Sequence, residues 1–173
     1  MSVFVVDASV VIKWFVPEIY SEEARRLLRA DHQYFAPDLL YAETSNAIWK
    51  KVRRGELSSD QGRRLVADLE SIAIDTVPTR ALANDAYTLA IATGCSVYDC
   101  MYLALGVRLD TKMITADERL VARLRGTPLI ASHVQIVQDF PYIVNSPTVD
   151  RISSKLRPTR KHVLEHPLTF SSD

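Results

Sequence analysis

The residues of this 173-residue chain best placed to do chemistry are carboxylates that follow short apolar runs. Asp7 comes directly after Val3-Phe4-Val5-Val6, and Asp117 stands two residues beyond Met113-Ile114-Thr115. Asp99 falls three residues after Ser96, in what reads as the first turn of a helix. Glu43 lies inside a long helical pattern, with Leu39 and Leu40 before it and Ala47 one turn after. That spacing sets Glu43 on or beside the apolar stripe of its helix. A charged carboxylate there costs on the order of several kcal/mol unless something compensates it.

Each acid has a local explanation. Asp7 and Asp117 could cap helices, a role that stabilises by about 1 kcal/mol. Asp99 could form a capping box with Ser96. Glu43 could be solvated, or could pair with Lys50 or a neighbouring Arg. Gathered at one end of a sheet, the four would repel one another and would call for a divalent cation. Hard oxygen ligands favour Mg²⁺ or Mn²⁺ over zinc.

The elements that must position these acids alternate between two periods. Apolar runs at Val3–Val6, Tyr34–Ala36, Ile72–Val77, Lys112–Thr115 and Pro128–Ala131 read as strands. Helical patterns run from Ala8 to Phe15 with Pro17 as the stop, and from Ser21 to Ala30. A long helix opens with Pro37 in its first turn and ends near Arg54 at Gly55. The Ser58-x-x-Gln61 capping box opens a helix to about Ser71. Further helices span Arg80 to Thr93, stopped by Gly94, then Ser96 to about Val107, then Asp117 to Leu124. Strands alternating with helices predict an α/β fold: a central, mostly parallel twisted sheet of about five strands flanked by helices. In such a sheet ligands bind outside the carboxyl ends of the strands, near the point where strand order reverses.

Composition narrows the class. Hydrophobic residues make up 47% and charged residues 24%, as in a soluble globular protein. Lys plus Arg and Asp plus Glu both total 21, which excludes a strongly basic nucleic-acid binder and an acidic tail protein. Cys95 and Cys100 form neither a disulfide framework nor a metal knuckle, and read as small buried hydrophobes. No run reaches the roughly 18 apolar residues of a membrane span, and the apolar N-terminus is broken by Asp7 and Lys13. A cytoplasmic protein without a membrane partner is expected. The chain divides into a domain over residues 1–140 and a C-terminal extension over 141–173. The extension holds four of the eight prolines and carries five basic against three acidic residues, and it is expected to be extended or loosely docked.

The long helix ends in a basic cluster, Lys50, Lys51, Arg53 and Arg54, with Arg63 and Arg64 across the following turn. These form either a solvated helix face or contacts to the phosphates of single-stranded or looped RNA. Trp14, Phe15 and Trp49 nearby fit core or interface packing better than base stacking. His32 and His133 lie in no motif and read as surface residues, while His162 and His166 belong to the extension. No pair of histidines is available for general acid–base chemistry.

Four segments together resemble the PIN-domain ribonucleases, and within them the VapC-type toxins of prokaryotic toxin–antitoxin pairs. They are Val5-Val-Asp-Ala-Ser-Val10, the P-x-L-L-x-x-E run from Pro37 to Glu43, Tyr98-Asp-Cys-Met-Tyr-Leu-Ala-Leu105, and Thr115-Ala-Asp-Glu-Arg-Leu120. No segment is specific alone; the ordered set, spanning residues 3 to about 135, is. Cys100 stands where the family more often has alanine. The resemblance implies a single PIN-like domain with Asp7, Glu43, Asp99 and Asp117 as its catalytic acids and Ser9 and Thr115 as accessory hydroxyls. It also implies a Mg²⁺-dependent endoribonuclease with Mn²⁺ as a possible substitute, a cognate antitoxin protein and a homodimer. Asp7, Asp99 and Asp117 would be the principal metal ligands. Glu43 would bind a second ion or position water.

Two other readings compete. One is a PIN-like module that binds RNA or protein without cutting, or a nuclease of RNA processing outside any toxin pair. The other is a phosphotransferase or phosphatase with Asp7 as nucleophile, which usually wants a second acid where this chain has Ser9.

Overall fold

The structure is a computed structural model and describes residues 2–29 and 31–140. In chain order the elements are β1 (Ser2–Val6), α1 (Ala8–Phe15), α2 (Ser21–Arg29), β2 (His32–Pro37), α3 (Leu39–Arg53), α4 (Ser59–Glu70), β3 (Ile74–Val77) and α5 (Thr79–Thr93). There follow α6 (Val97–Arg108), β4 (Met113–Thr115), α7 (Glu118–Leu124), α8 (Pro128–Ala131), β5 (Val134–Ile136) and a 3-10 turn over Val137–Asp139.

The five strands form one sheet in the order β3-β2-β1-β4-β5, and every pairing is parallel. The expected sheet, mostly parallel, is therefore wholly so. Parallel strands are covered on both faces, which is why Val5, Val6, Met113 and Ile114 are all fully buried. Strand order reverses between β1 and β4. The register there sets Val6 beside Ile114, and the Asp7 N–H donates to the Ile114 carbonyl at 3.1 Å. Asp7 thus leaves the sheet at the switch point, where a crevice opens in folds of this kind.

Local chemistry explains most of the boundaries. Ser58 and Gln61 form the reciprocal capping box that opens α4. Gly94 closes α5 at φ 68°, a left-handed turn open to glycine without strain. Gly62 lets α4 lie close on α3, because a Cβ there would come within 2.8 Å of the Val52 side chain.

Three expectations fail. Pro128–Ala131 is a helical turn, not a strand. Its proline sits at the helix start and the Thr127 carbonyl accepts the N–H groups of Ile130 and Ala131. The fifth strand lies further on, at Val134–Ile136, where Gln135 breaks the apolar run and hides the signal. Pro37 ends β2, paired with Val77, rather than opening the helix. Asp38 makes the turn instead, its carboxylate accepting the Thr79 N–H at 2.8 Å. His32 is not a surface residue either. Both of its ring nitrogens are buried without hydrogen-bond partners, among the rings of Phe4, Tyr34 and Phe140. The reading of 141–173 as an extension, with His162 and His166, lies outside the described residues, as does Ala30.

Among the described residues no single helix is long and apolar enough to cross a membrane. Cys95 and Cys100 are free and buried, as small hydrophobes in a core, and burial pushes the Cys100 thiol up to about 11.

Candidate active site

Asp7 is both a cap and the centre of a hydroxyl cluster. As N-cap of α1 it receives the Ser9 N–H on Oδ1 at 3.3 Å. Its other oxygen, Oδ2, accepts two hydroxyls, from Ser9 at 2.8 Å and from Thr115 at 2.6 Å. Each hydroxyl is itself aimed by a backbone donor. The Ala116 N–H donates to Ser9 Oγ at 3.0 Å, and the Asp117 N–H donates to Thr115 Oγ1 at 3.0 Å. With their lone pairs engaged by these N–H groups, both hydroxyl hydrogens point at Asp7. Burial raises the Asp7 carboxyl above its ordinary range, the hydroxyls of Thr115 and Ser9 pull it back, and the charge of Asp99 pushes it up.

Asp117 follows β4 and is the N-cap of α7. Its Oδ1 accepts the N–H groups of Arg119 at 2.8 Å and Leu120 at 3.1 Å. Its backbone joins the cluster through Thr115, whose hydroxyl donates to the Asp7 carboxylate and accepts the Asp117 N–H. Asp99 lies in the first turn of α6. There Ser96 is the N-cap, accepting the Asp99 N–H at 3.1 Å, and donates its hydroxyl to Asp99 Oδ2 at 2.7 Å. The capping explanations for Asp7 and Asp117 are therefore correct as local structure, and Asp99 bonds its Ser96 cap. None of this excludes a further role, because each acid keeps an oxygen free or weakly bonded.

Glu43 is half-buried on α3 and pairs with no cation among the described residues. Tyr102, 1% exposed, donates its phenol to Glu43 Oε2 at 2.6 Å across the α6–α3 gap. Burial raises the Glu43 carboxyl, the Tyr102 bond opposes that shift, and the charges of Asp7 and Asp99 add to it. Burial, then Asp7, Glu43 and Asp99, hold the Tyr102 phenol protonated far beyond its ordinary range. The signal for Tyr102 was in the sequence: it stands three residues after Asp99, on the same helix face.

The fold therefore brings Asp7, Glu43 and Asp99 within electrostatic reach of one another, with the Asp117 backbone N–H tied in through Thr115. Among the described residues none of the four has an ion-pair partner. Glu43 Oε1, Asp99 Oδ1 and Asp117 Oδ2 accept no hydrogen bond there. As they stand, no three His, Cys, Asp or Glu side chains among the described residues converge enough to enclose an ion. The donor set nevertheless fits a hard divalent cation: oxygen ligands, unneutralised negative charge, and spare lone pairs.

The basic cluster is divided. Lys51 is drawn into two ion pairs, with Glu18 at 2.6 Å and Glu56 at 3.0 Å, and Lys13 completes the network on Glu18 at 2.8 Å. Arg53 stacks over the exposed Trp49 ring at 4.9 Å, Arg54 stands 3.7 Å from Glu56, and Lys50 is exposed. They lie about 10 to 17 Å along α3 from Glu43, at 1.5 Å rise per residue. Trp14 is core, donating its indole N–H to the Ala24 carbonyl at 2.8 Å.

Comparison with known proteins agrees with this architecture. The PIN domain family profile matches residues 4–126. Ribonuclease VapC3 of Pyrobaculum aerophilum is 33% identical over 121 residues, covering 69% of this chain and 92% of that protein. Ribonuclease VapC1 of Mycobacterium tuberculosis is 30% identical over 118 residues, covering 68% and 88%. Among solved structures, a toxin–antitoxin complex from Klebsiella pneumoniae contains a chain with the same fold. Its TM-score is 0.56 at 16% identity, covering 77% of this chain and 96% of that one. With the profile match running through β1, α3, α6 and β4 and the VapC relatives aligned over most of their length, the chain belongs to the PIN-domain family, in its VapC ribonuclease branch.

Proposed function

We propose that this protein is an endoribonuclease that hydrolyses phosphodiester bonds of RNA with Mg²⁺, or Mn²⁺ in its place, and is the toxin of a toxin–antitoxin pair. The observation that supports the reading most is the charge balance at the switch point. The charge of Asp99 raises the proton affinity of Asp7 and of Glu43, that of Asp7 raises Glu43 further, and among the described residues no Lys or Arg pairs with any of the three.

Asp7, Asp99 and Asp117 would hold the cation, and Glu43 would bind a second one or position the attacking water. The bound ion supplies a more acidic water and relief of negative charge on the phosphoryl oxygens. The chain's own groups do the rest. Ser9 and Thr115 fix the Asp7 carboxylate by donating to one oxygen, which leaves the other bonded only by the Ser9 N–H at 3.3 Å. Ser96 does the same for Asp99. Glu43 Oε1 would accept a proton from water and orient its lone pair. Lys50, Arg53 and Arg54 would contact the RNA backbone beyond the scissile bond, with Lys51 holding the helix end in place.

The likeness to a chain of a toxin–antitoxin complex supports a cognate antitoxin as partner; a homodimer and a cytoplasmic setting belong to the same proposal. Residues 1–140 would form the nuclease domain and 141–173 a separate extension.

The test is cleavage of RNA by the purified full chain with Mg²⁺, with Mn²⁺ and with a chelator, repeated with Asp99→Asn. Cleavage that needs the metal and disappears in the variant supports the reading. Cleavage that persists in chelator, or full activity in Asp99→Asn, overturns it.

A further inference from the structure

Glu43 has three side-chain torsions, sits on a different helix from Asp99, and among the described residues is held by a single side-chain donor. That donor is the Tyr102 phenol, on a ring that is itself 1% exposed and cannot swing away. Tyr102 lies one turn after Asp99, so α6 presents both toward Asp7 and Glu43. The bond occupies Glu43 Oε2 and leaves Oε1 as the oxygen free to meet a ligand.

We infer that Tyr102 is a positioning residue for Glu43: its hydroxyl fixes which carboxylate oxygen faces the acidic cluster and locks α3 to α6 at the site. The inference rests on the nuclease reading above. A phenol at this place donates a bond without adding charge, so it orders the acid without competing with a cation for it. A lysine or arginine in the same position would neutralise Glu43 and weaken the very field that draws a cation in. Phenylalanine would fill the same space and remove only the donor.

The experiment uses Mn²⁺ alone, titrated into the full chain and followed by its paramagnetic resonance signal. Alongside it, kcat and KM are measured on a fluorescent single-stranded RNA. Loss of an outer hydrogen bond to a metal-site group typically lowers affinity or activity by about 10- to 100-fold. Tyr102→Phe is therefore expected to weaken Mn²⁺ binding and lower kcat by roughly 10-fold with KM for RNA unchanged. Glu43→Gln with Tyr102→Phe should be no worse than Glu43→Gln alone, because Tyr102 acts only through Glu43. Wild-type Mn²⁺ affinity and kcat in Tyr102→Phe overturn the inference, and so does full additivity in the double variant. Should Tyr102→Phe not fold, Glu43→Asp draws the carboxylate back from the phenol and should show the same loss; wild-type behaviour there overturns the inference. Asp99→Asn separates the two levels. If it abolishes Mn²⁺ binding while Tyr102→Phe is silent, only the positioning role falls. If Asp99→Asn binds Mn²⁺ like the wild type, the metal-site reading falls as well.

Discussion

The acidic cluster has two halves built on different principles. The half carried by β1 and β4 is braced: Asp7 receives two hydroxyls and a backbone N–H, and each hydroxyl is aimed by an N–H of the β4–α7 turn. The half carried by α3 and α6 is tethered, Asp99 by one serine hydroxyl and Glu43 by one phenol. The carboxyl ends of the strands can supply many donors, because backbone N–H groups just past the last ladder bonds have no strand partner. A helix interior cannot, because its N–H groups already bond within the helix. A carboxylate inside a helix, such as Glu43, must therefore be ordered by a side chain from elsewhere. The braced half holds its geometry before any ligand arrives; the tethered half can adjust when one does.

That contrast breaks first at Asp7. Asp7→Asn removes a charge from the braced half and is expected to lower RNA cleavage by on the order of a thousandfold, the equivalent of about 4 kcal/mol of barrier. Single-turnover cleavage at saturating Mg²⁺ checks this; a loss under tenfold would show that the sheet-borne half is not where the chemistry lies.

Thr115→Val comes next. It preserves shape but strips a donor from Asp7 and an acceptor from the Asp117 N–H. An unsatisfied buried partner costs roughly 1 to 3 kcal/mol. The variant should therefore unfold at lower urea and cleave about 10- to 100-fold more slowly. If it proves less damaging than Tyr102→Phe, the two halves have been ranked in the wrong order.

The third difference is pH-dependent. Asp7 and Glu43 both have raised carboxyl affinities in the folded protein, chiefly from burial. A group whose folded value lies above its unfolded one contributes stability that is full below the unfolded value and is lost as pH rises through the folded one. Metal-free protein should therefore lose this contribution as pH climbs from the ordinary carboxylate range toward neutrality. Glu43→Gln should flatten that loss and raise the melting temperature at pH 7, while Mg²⁺ should raise it in the wild type. Thermal melts at several pH values, with and without Mg²⁺, give the answer. An unchanged slope in Glu43→Gln would mean the tethered half carries no strain. His32 acts in the opposite sense. Burial lowers its proton affinity, so its contribution is lost as pH falls through the ordinary histidine range.

The smallest effects belong to the distant end of α3. Replacing Lys50, Arg53 and Arg54 with Ala should weaken RNA binding and reduce its salt slope by about 0.7 for each single-strand phosphate left without a cationic partner. Lys51→Ala should instead lower stability, since it breaks ion pairs with both Glu18 and Glu56. Filter binding across a salt series, beside urea melts, distinguishes the two.

Much of this was written in the chain. Periodicity and caps placed α1, α4, α5, α6 and α7 and four of the five strands, because those signals are local: proline and glycine stops, Ser58 with Gln61, Ser96 with Asp99. The acids stood out for the same reason, each following a strand or interrupting an apolar stripe. Locality also explains the errors. Three-residue β5 has too short a run to show a period, and Pro128–Ala131 looked like a strand by composition while its neighbours made a turn of helix.

What the sequence could not decide was which side chains meet across elements. That Thr115 serves Asp7, 108 residues away, follows from β1 pairing with β4 rather than with β3, and strand order is a property of the whole sheet. That Tyr102 serves Glu43, and that Lys51 is spent on Glu18 and Glu56 instead of standing free, depends on how α3 packs against its neighbours. Residue type and spacing determined where negative charge enters the fold. Long-range packing decided which donors share its burial, because a hydrogen bond depends on distance in space and the chain records only distance along itself.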